Sequence, residues 1–435
     1  MQEIDTLICA AHVVPVEPRG VMADHAVAVD AGRIVEVLPT AQALERYDAR
    51  AVVRLDRHAL IPGLVNLHCH AAMTLMRGIA DDVPLMTWLQ ERVWPAEAKH
   101  VSDEFVHDGS LLAMAEMLRG GVTCVNDMYF FPEATARAAL RAGMRAALGV
   151  IAIEFPSAYA SGAASYLQKG LATRDAYQGE PLLTFCLAPH SPYTVGDEML
   201  KKIAVLAEVL DLPIHCHVHE TRDEIRQGVG QHGMRPFERL RRLGVVGPRL
   251  IAVHSVHLEA TELDVMAREG VSVAHCPSSN LKLASGIAPV AEMRARGIRV
   301  GVGTDGAASN NRLDVMTEMR TAALLAKAAS GDAAVVSAAE ALEMATLQGA
   351  RALGLDADIG SIAAGKAADL AAVELSSVET LPCFDPVSHL VYAAGREHVT
   401  HVWVGGEARL VERRLAGLDP QDLHDKARWW AKRLS

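Results

Sequence analysis

The chain has 435 residues, half of them hydrophobic, and a formal net charge of −11. That length accommodates one large barrel with a smaller appended unit and a sizeable buried core. The acidic balance argues against nucleic-acid or anionic-membrane partners, which favour a basic face.

The N-terminus, Met1-Gln2-Glu3-Ile4-Asp5, lacks the basic-then-apolar run of a secretory leader. No apolar stretch is long enough to span a bilayer, so a soluble cytoplasmic protein is expected. Up to about Leu60 short alternating runs predict strands, with a hairpin at Ala26–Val29, Asp30-Ala31-Gly32-Arg33 and Ile34–Leu38.

From Ile61 to about Asp305 one pattern recurs: a short apolar run ending in His, Asp or Cys, then a helical stretch. The predicted strands are Leu64–His70, Val122–Asp127, Arg145–Ile151, Leu183–His190, Pro213–His219, Leu250–His257, Val271–Pro277 and Val300–Asp305. The helices between them include Asp103–Arg119, Glu133–Ala142, Glu198–Leu210, Pro236–Leu243, Thr261–Glu269 and Ala288–Arg296. Many stop at glycine, as at Gly143, Gly244, Gly270 and Gly297. Alternating strand and helix imply an α/β protein with a parallel sheet, and eight units over this length predict a (β/α)8 TIM-like barrel. A doubly wound sheet is disfavoured because no glycine-rich phosphate loop follows the first strand.

After about Asp358 short strands return, at Asp369–Glu374, Val399–Val404 and Ala408–Val411. The two chain ends are expected to pair into one β-sandwich, giving residues 1–60 and 358–435 as its halves and 61–357 as the barrel. The tail from Gln421 puts Leu423, Ala427, Trp430 and Leu434 on one helical face, suited to docking. Seven cysteines with no C-x-x-C pair suggest neither a disulfide framework nor a zinc ribbon.

Chemistry concentrates at the strand ends. His68 and His70, two apart on a strand, face the same way, toward the barrel axis. The fifth strand ends in His215-Cys216-His217-Val218-His219-Glu220, where alternation puts three histidines on a common face and does not choose among them. Asp305 closes an otherwise apolar run, and a carboxylate buried there requires a partner. His190 and His254 bring two more imidazoles to the same rim.

The run Pro62-Gly63-Leu64-Val65-Asn66-Leu67-His68-Cys69-His70 resembles the metal motif of the amidohydrolase superfamily, and His217 with Glu220, His254 and Asp305 follow in its order. Within it the chain is similar to the methylthioadenosine/S-adenosylhomocysteine deaminases, near the triazine (chlorohydrolase-like) branch. The segments that carry this include Asn126-Asp127-Met128-Tyr129, Pro189-His190-Ser191-Pro192-Tyr193, Ser278-Ser279-Asn280-Leu281 and Gly303-Thr304-Asp305-Gly306-Ala307-Ala308-Ser309.

The resemblance implies a metal held by His68, His70, His217 and Asp305, with His215 and His219 in supporting places. It implies proton transfer by Glu220, orientation of the attacking water by His254, a second proton transfer by Asp305, and substrate contacts at His190 and Glu97. Glu97 by itself reads as a solvated loop acid. The binuclear branch uses a bridging lysine on the fourth strand; Leu187-Ala188-Pro189-His190 offers none, so one zinc per chain is expected, with iron(II) the alternative.

The implied reaction is hydrolytic deamination of an adenine nucleoside by a homo-oligomer, a dimer or tetramer. Where relatives place an arginine at the end of the third strand, Val150 aligns, which favours methylthioadenosine over adenosine and both over S-adenosylhomocysteine. Val150, Met73 or Met86 would line the apolar slot; Arg77, Arg92 or Arg222 would supply the missing charge in the opposite case. The alternatives are a deaminase or chlorohydrolase acting on guanine, a triazine or a pterin-like ring, and a non-catalytic barrel scaffold.

Overall fold

The computed structural model describes residues 1–83 and 87–434. The chain opens with β1 (Gln2–Val13), β2 (Met22–Asp30) and β3 (Arg33–Pro39), then a short helix and β4 (Tyr47–Pro62). Eight strands follow: β5 (Leu64–Cys69), β6 (Val122–Asp127), β7 (Arg145–Ala152), β8 (Leu183–Pro189), β9 (Ile214–Val218), β10 (Leu250–His254), β11 (Ser272–His275) and β12 (Arg299–Val302). The chain ends with β13 (Leu370–Glu374), β14 (Val399–Val404), β15 (Glu407–Val411), β16 (Arg414–Leu415) and a helix over Pro420–Leu434.

β5 to β12 lie in chain order, each parallel to the next, with helices between them, as the α/β alternation predicts. The seam between β12 and β5 is closed by side-chain and backbone bonds. Asn66 Nδ2 donates to Thr304 Oγ1 at 2.8 Å, the Thr304 N–H donates to Asn66 Oδ1 at 2.9 Å, and the Asp305 N–H reaches the His68 carbonyl at 3.0 Å. Gly303 permits this approach, since a Cβ there would stand 2.8 Å from the His68 nitrogen.

Helix Asp103–Arg119 and strand β6 have the predicted bounds. Six strands stop short of their expected ends: β5 at Cys69, β8 at Pro189, β9 at Val218, β10 at His254, β11 at His275 and β12 at Val302. The reason shows in the backbone at three of them. His219, His254 and Asp305 take left-handed φ values of 54°, 67° and 61°, so the chain leaves the ladder and turns over the barrel mouth.

The two chain ends pair as expected, through β13 antiparallel to β4, and form one mixed sheet in the order β16-β15-β14-β13-β4-β1-β2-β3. Both faces are covered. Ile8, Ala10, Val27 and Val29 enter one apolar cluster with Trp403, while Leu7, Cys9, Ala26 and Ala28 enter another with Ala43 of the short helix. Two hairpin turns from opposite ends of the chain meet: a Cβ on Gly32 would lie 2.6 Å from the Gly405 carbonyl oxygen. Arg145, at the start of β7, binds Asp369 through Nε at 2.8 Å and Nη2 at 3.1 Å, joining the barrel floor to this sheet.

The C-terminal helix docks as predicted. It buries Leu423 and Trp430, and Trp430 Nε1 donates to Asp108 Oδ2 at 3.1 Å on helix Asp103–Arg119. All seven cysteines are free and six are buried. Among the described residues no helix is long and apolar enough to cross a membrane.

Candidate active site

The rim at the carboxyl ends of the strands gathers the expected side chains. His68 is fully buried, with Nε2 3.3 Å from Asp305 Oδ1 and 3.3 Å from His217 Nε2. His70 Nε2 also stands 3.3 Å from Asp305 Oδ1. The other ring nitrogens are occupied. His70 Nδ1–H donates to the Met128 carbonyl at 2.6 Å, His217 Nδ1–H donates to the His190 carbonyl at 2.6 Å, and His68 Nδ1 lies 2.9 Å from His215 Nε2. The two carbonyl acceptors fix the tautomers of His70 and His217, leaving their Nε2 lone pairs facing inward.

Burial lowers the His68 pKa to about 3 and takes His217 well below the usual imidazole range. The His68 and His217 Nε2 atoms, 3.3 Å apart beside the Asp305 carboxylate, are placed to turn lone pairs on one shared cation. Three imidazoles and one carboxylate form the donor set that suits zinc. The residues present therefore fit a metal ion. Two ligand groupings overlap here, His68–His70–Asp305 and His68–His217–His254, each with its ligand atoms within 4.8 Å of one another.

Asp305 is held by more than the imidazoles. Its Oδ2 accepts from Ser279 Oγ at 2.6 Å and Ser309 Oγ at 2.8 Å, and Oδ1 accepts from the Gly306 N–H at 2.8 Å. Burial works against its charge, but the bond to His68 and the nearby His70 and His254 rings outweigh it, so the carboxyl sits well below its usual range.

Glu220 follows the turn at His219 and is buried, with Oε2 3.7 Å from His254 Nε2. Burial and the neighbouring Asp305 charge raise its pKa against the pull of His254. His254 donates Nδ1–H to Asn280 Oδ1 at 2.9 Å, leaving Nε2 toward Glu220. The Glu224 carboxylate accepts the His219 N–H at 2.9 Å and the Glu220 N–H at 2.7 Å, clamping the turn that carries Glu220.

The alternation across His215, His217 and His219 is resolved by the end of β9. His215 lies beneath His68, whereas His219, past the strand, turns away and accepts the Phe237 N–H at 3.1 Å on Nε2. His219 is thus not on the common face, because its left-handed backbone breaks the period of two.

His190 stands on the cleft wall with Nδ1 bonded to Thr194 Oγ1 at 3.0 Å, and burial lowers its pKa to about 3. Glu97 faces the same cleft. It lies on a helix, Trp94–His100, not in a solvated loop. It accepts from Tyr129 Oη at 2.7 Å, and burial pushes its pKa up to about 7.

The cleft lies over these groups, with Trp88, Trp94, Ile151, Ile153, Phe155 and Leu283 among its apolar walls. Val150 is not in it. Its side chain faces outward against Gly170 of helix Ala163–Ala176, because alternation gives the inward place to Ile151. Met73 does line the cleft; Met86 lies outside the described residues.

None of the three candidate arginines lines the cleft. Arg77 binds Glu116 and the Asn311 carbonyl, Arg92 is exposed, and Arg222 lies at a second opening beyond Leu283. Past Glu97 the cleft continues between Trp94, Phe130 and Phe155 into an annex with Val101, Pro156 and Ala158 on its walls and no cation among its lining residues.

Sequence reasoning assigned no role to Asn280, Glu224, Trp94 or Phe155. The pair Trp88 and Trp94, in a chain with only five tryptophans, was the available signal for an aromatic cleft wall.

A β/α barrel with imidazoles and a carboxylate converging at its carboxyl mouth defines the class of metal-dependent hydrolases. Residues 59–409 match the Amidohydrolase family, and the chain belongs to it. It is 44% identical over 431 residues to a 5-methylthioadenosine/S-adenosylhomocysteine deaminase of Saccharophagus degradans, covering 99% of this chain and 97% of that one. Among solved structures it resembles an adenosine deaminase from Xanthomonas campestris with bound zinc, at TM-score 0.98 and 50% identity over 100% of this chain and 99% of the other. It also resembles an atrazine chlorohydrolase from Arthrobacter aurescens complexed with zinc, at TM-score 0.90 and 25% identity over 98% and 100% of the two chains.

Proposed function

We propose that the chain is a zinc-dependent deaminase of adenine nucleosides, acting on 5′-methylthioadenosine first, adenosine second and S-adenosylhomocysteine more weakly. The observation that carries the reading is the placement of Glu220, His254 and Asp305 around one cleft whose continuation past Glu97 is apolar. When bound by His68, His70, His217 and Asp305, a single zinc ion supplies a Lewis acid that lowers the pKa of water from ~15.7 to ~7.

The chain's own groups then divide the work. Glu220, whose proton affinity burial raises, donates its proton to N1 of the purine and makes C6 electrophilic. His254, held through Nδ1 by Asn280, orients the attacking water with Nε2 and stabilises charge at the tetrahedral C6. Asp305 takes a proton from that water and delivers it to the amine. As the C6–N bond breaks, ammonia leaves, and Glu220 recovers a proton from the C6 hydroxyl to give the inosine analogue.

His190 and Glu97 hold the adenine ring and ribose, the Glu97 carboxylate accepting from the ribose hydroxyls. The 5′ substituent enters the annex between Trp94, Phe130 and Phe155. A thioether is at ease there; an amino-acid carboxylate would be desolvated without a cationic partner. The test is kcat/KM by ammonia release for the three nucleosides beside guanine, with chloride release scored for atrazine. Methylthioadenosine should lead, and S-adenosylhomocysteine at or above its value refutes the substrate order.

A further inference from the structure

A second cleft, sharing no lining residue with the first, lies between helix Asp103–Arg119, the β14–β16 edge and the start of the C-terminal helix. Five arginines line it, Arg77, Arg119, Arg396, Arg413 and Arg414, against two carboxylates, Glu116 and Glu397. In a chain of net charge −11 such a concentration of cations requires a cause.

Internal pairing accounts for part of it. Glu116 is shared by Arg77 and Arg396, the latter at 2.7 Å, and Arg396 also faces Asp314 at 3.9 Å. No ion pair is found among the described residues for Arg119, Arg413 or Arg414. Arg119 donates to the Arg413 carbonyl at 2.7 Å, and Arg413 donates to the carbonyls of Arg396 and Val399 at 2.7 Å each. These bonds orient the guanidiniums without neutralising them.

The backbone bears this out independently. The turn between β15 and β16 is made by Glu412 and Arg413 at φ 47° and 62°, where a two-residue hairpin ordinarily uses Asn-Gly. A non-glycine pair in that conformation is strained, and strain of this kind gathers at functional sites. It thrusts Arg413 between Arg119 and Arg396, and burial with those two neighbours lowers its pKa despite Glu397.

We propose that this cleft binds a phosphoryl group, an anion whose oxygens take guanidinium donors in forked pairs. The site stands apart from the deaminase reading and does not depend on it.

Titration calorimetry on the full chain at fixed ionic strength, with inorganic phosphate, pyrophosphate and ATP as separate arms, tests it. Pyrophosphate should bind at a single saturable site, and the R119Q/R414E variant should lose about tenfold or more in affinity. Binding by ATP alone also supports the proposal and adds recognition of the base by the apolar wall at Leu112, Leu415 and Leu423. Because the variant touches neither the walls of the catalytic cleft nor a metal ligand, its kcat/KM for methylthioadenosine should match the parent, which shows that it has folded. No saturable heat in any arm, equal heat from sodium chloride, or unchanged affinity in the folded variant overturns the proposal. A change of oligomeric mass in the variant with anion binding intact also overturns it, marking the cluster as a contact between copies.

Discussion

Ser279 donates its hydroxyl to Oδ2 of Asp305 at 2.6 Å, and that bond joins the end of β11 to the end of β12. With Ser309 on the same oxygen at 2.8 Å, it aims Oδ1 at His68 and His70. Bonds of this kind orient a metal ligand, and losing them typically costs ~10–100-fold in metal affinity. The S279A/S309A double variant should show that loss in a competition titration with a zinc chelator. Asp305→Asn should lose both metal and turnover; full zinc content in that variant removes Asp305 from the ligand set.

The Glu220 carboxylate stands 3.7 Å from His254 and belongs to neither ligand grouping at His68, so its role is separable from metal binding. Glu220→Gln should keep its zinc by elemental analysis while kcat for methylthioadenosine falls ~10²–10⁴-fold, the usual worth of a positioned acid. Near-parental kcat would reassign the proton donor.

The annex beyond Glu97 is where substrate choice is expected to be reversible. Phe155 lines both the cleft and the annex. Phe155→Arg gives the carboxylate of S-adenosylhomocysteine a charged partner worth ~1.5–3 kcal/mol, about ten- to hundred-fold in kcat/KM. The same change should weaken methylthioadenosine. A variant whose ratio of the two substrates is unaltered places the 5′ group elsewhere.

Stability should fall on both sides of a mildly acidic window. Burial raises Glu318 from 4.5 to about 7 and Glu224 from 4.5 to about 8, so the unfolded chain releases those protons first and stability drains as pH climbs above 4.5. Burial lowers His275 from 6.5 to about 3, so the unfolded chain gains that proton first and stability drains as pH drops below 6.5. Urea midpoints against pH should trace this dome, and Glu318→Gln should flatten its alkaline side. An alkaline limb as steep in the variant as in the parent assigns the slope to other groups.

The sequence by itself determined the barrel, its order of strands and helices, and the residue types on its rim. Those properties are local and periodic. Alternation set His68 beside His70, apolar runs set the strands, and glycine stops such as Gly143 and Gly270 take the left-handed φ values of 64° and 73° that a helix end requires.

Tertiary structure decided which periodic candidates converge. His217 rather than His219 reaches the rim because the chain turns left-handed at His219, and Glu224, four residues past Glu220, holds that turn by its backbone. Ile151 rather than Val150 meets the cleft because the phase of β7 is fixed by packing against helix Ala163–Ala176, which the unbroken non-polar run after Arg145 does not encode. Glu97 becomes a cleft residue only when Tyr129 from another strand end closes over it, and burial raises its proton affinity against the hydrogen bond from Tyr129, which lowers it. Periodicity fixes a side chain's direction relative to its own strand; burial, tautomer and charge depend on neighbours brought in from other strands.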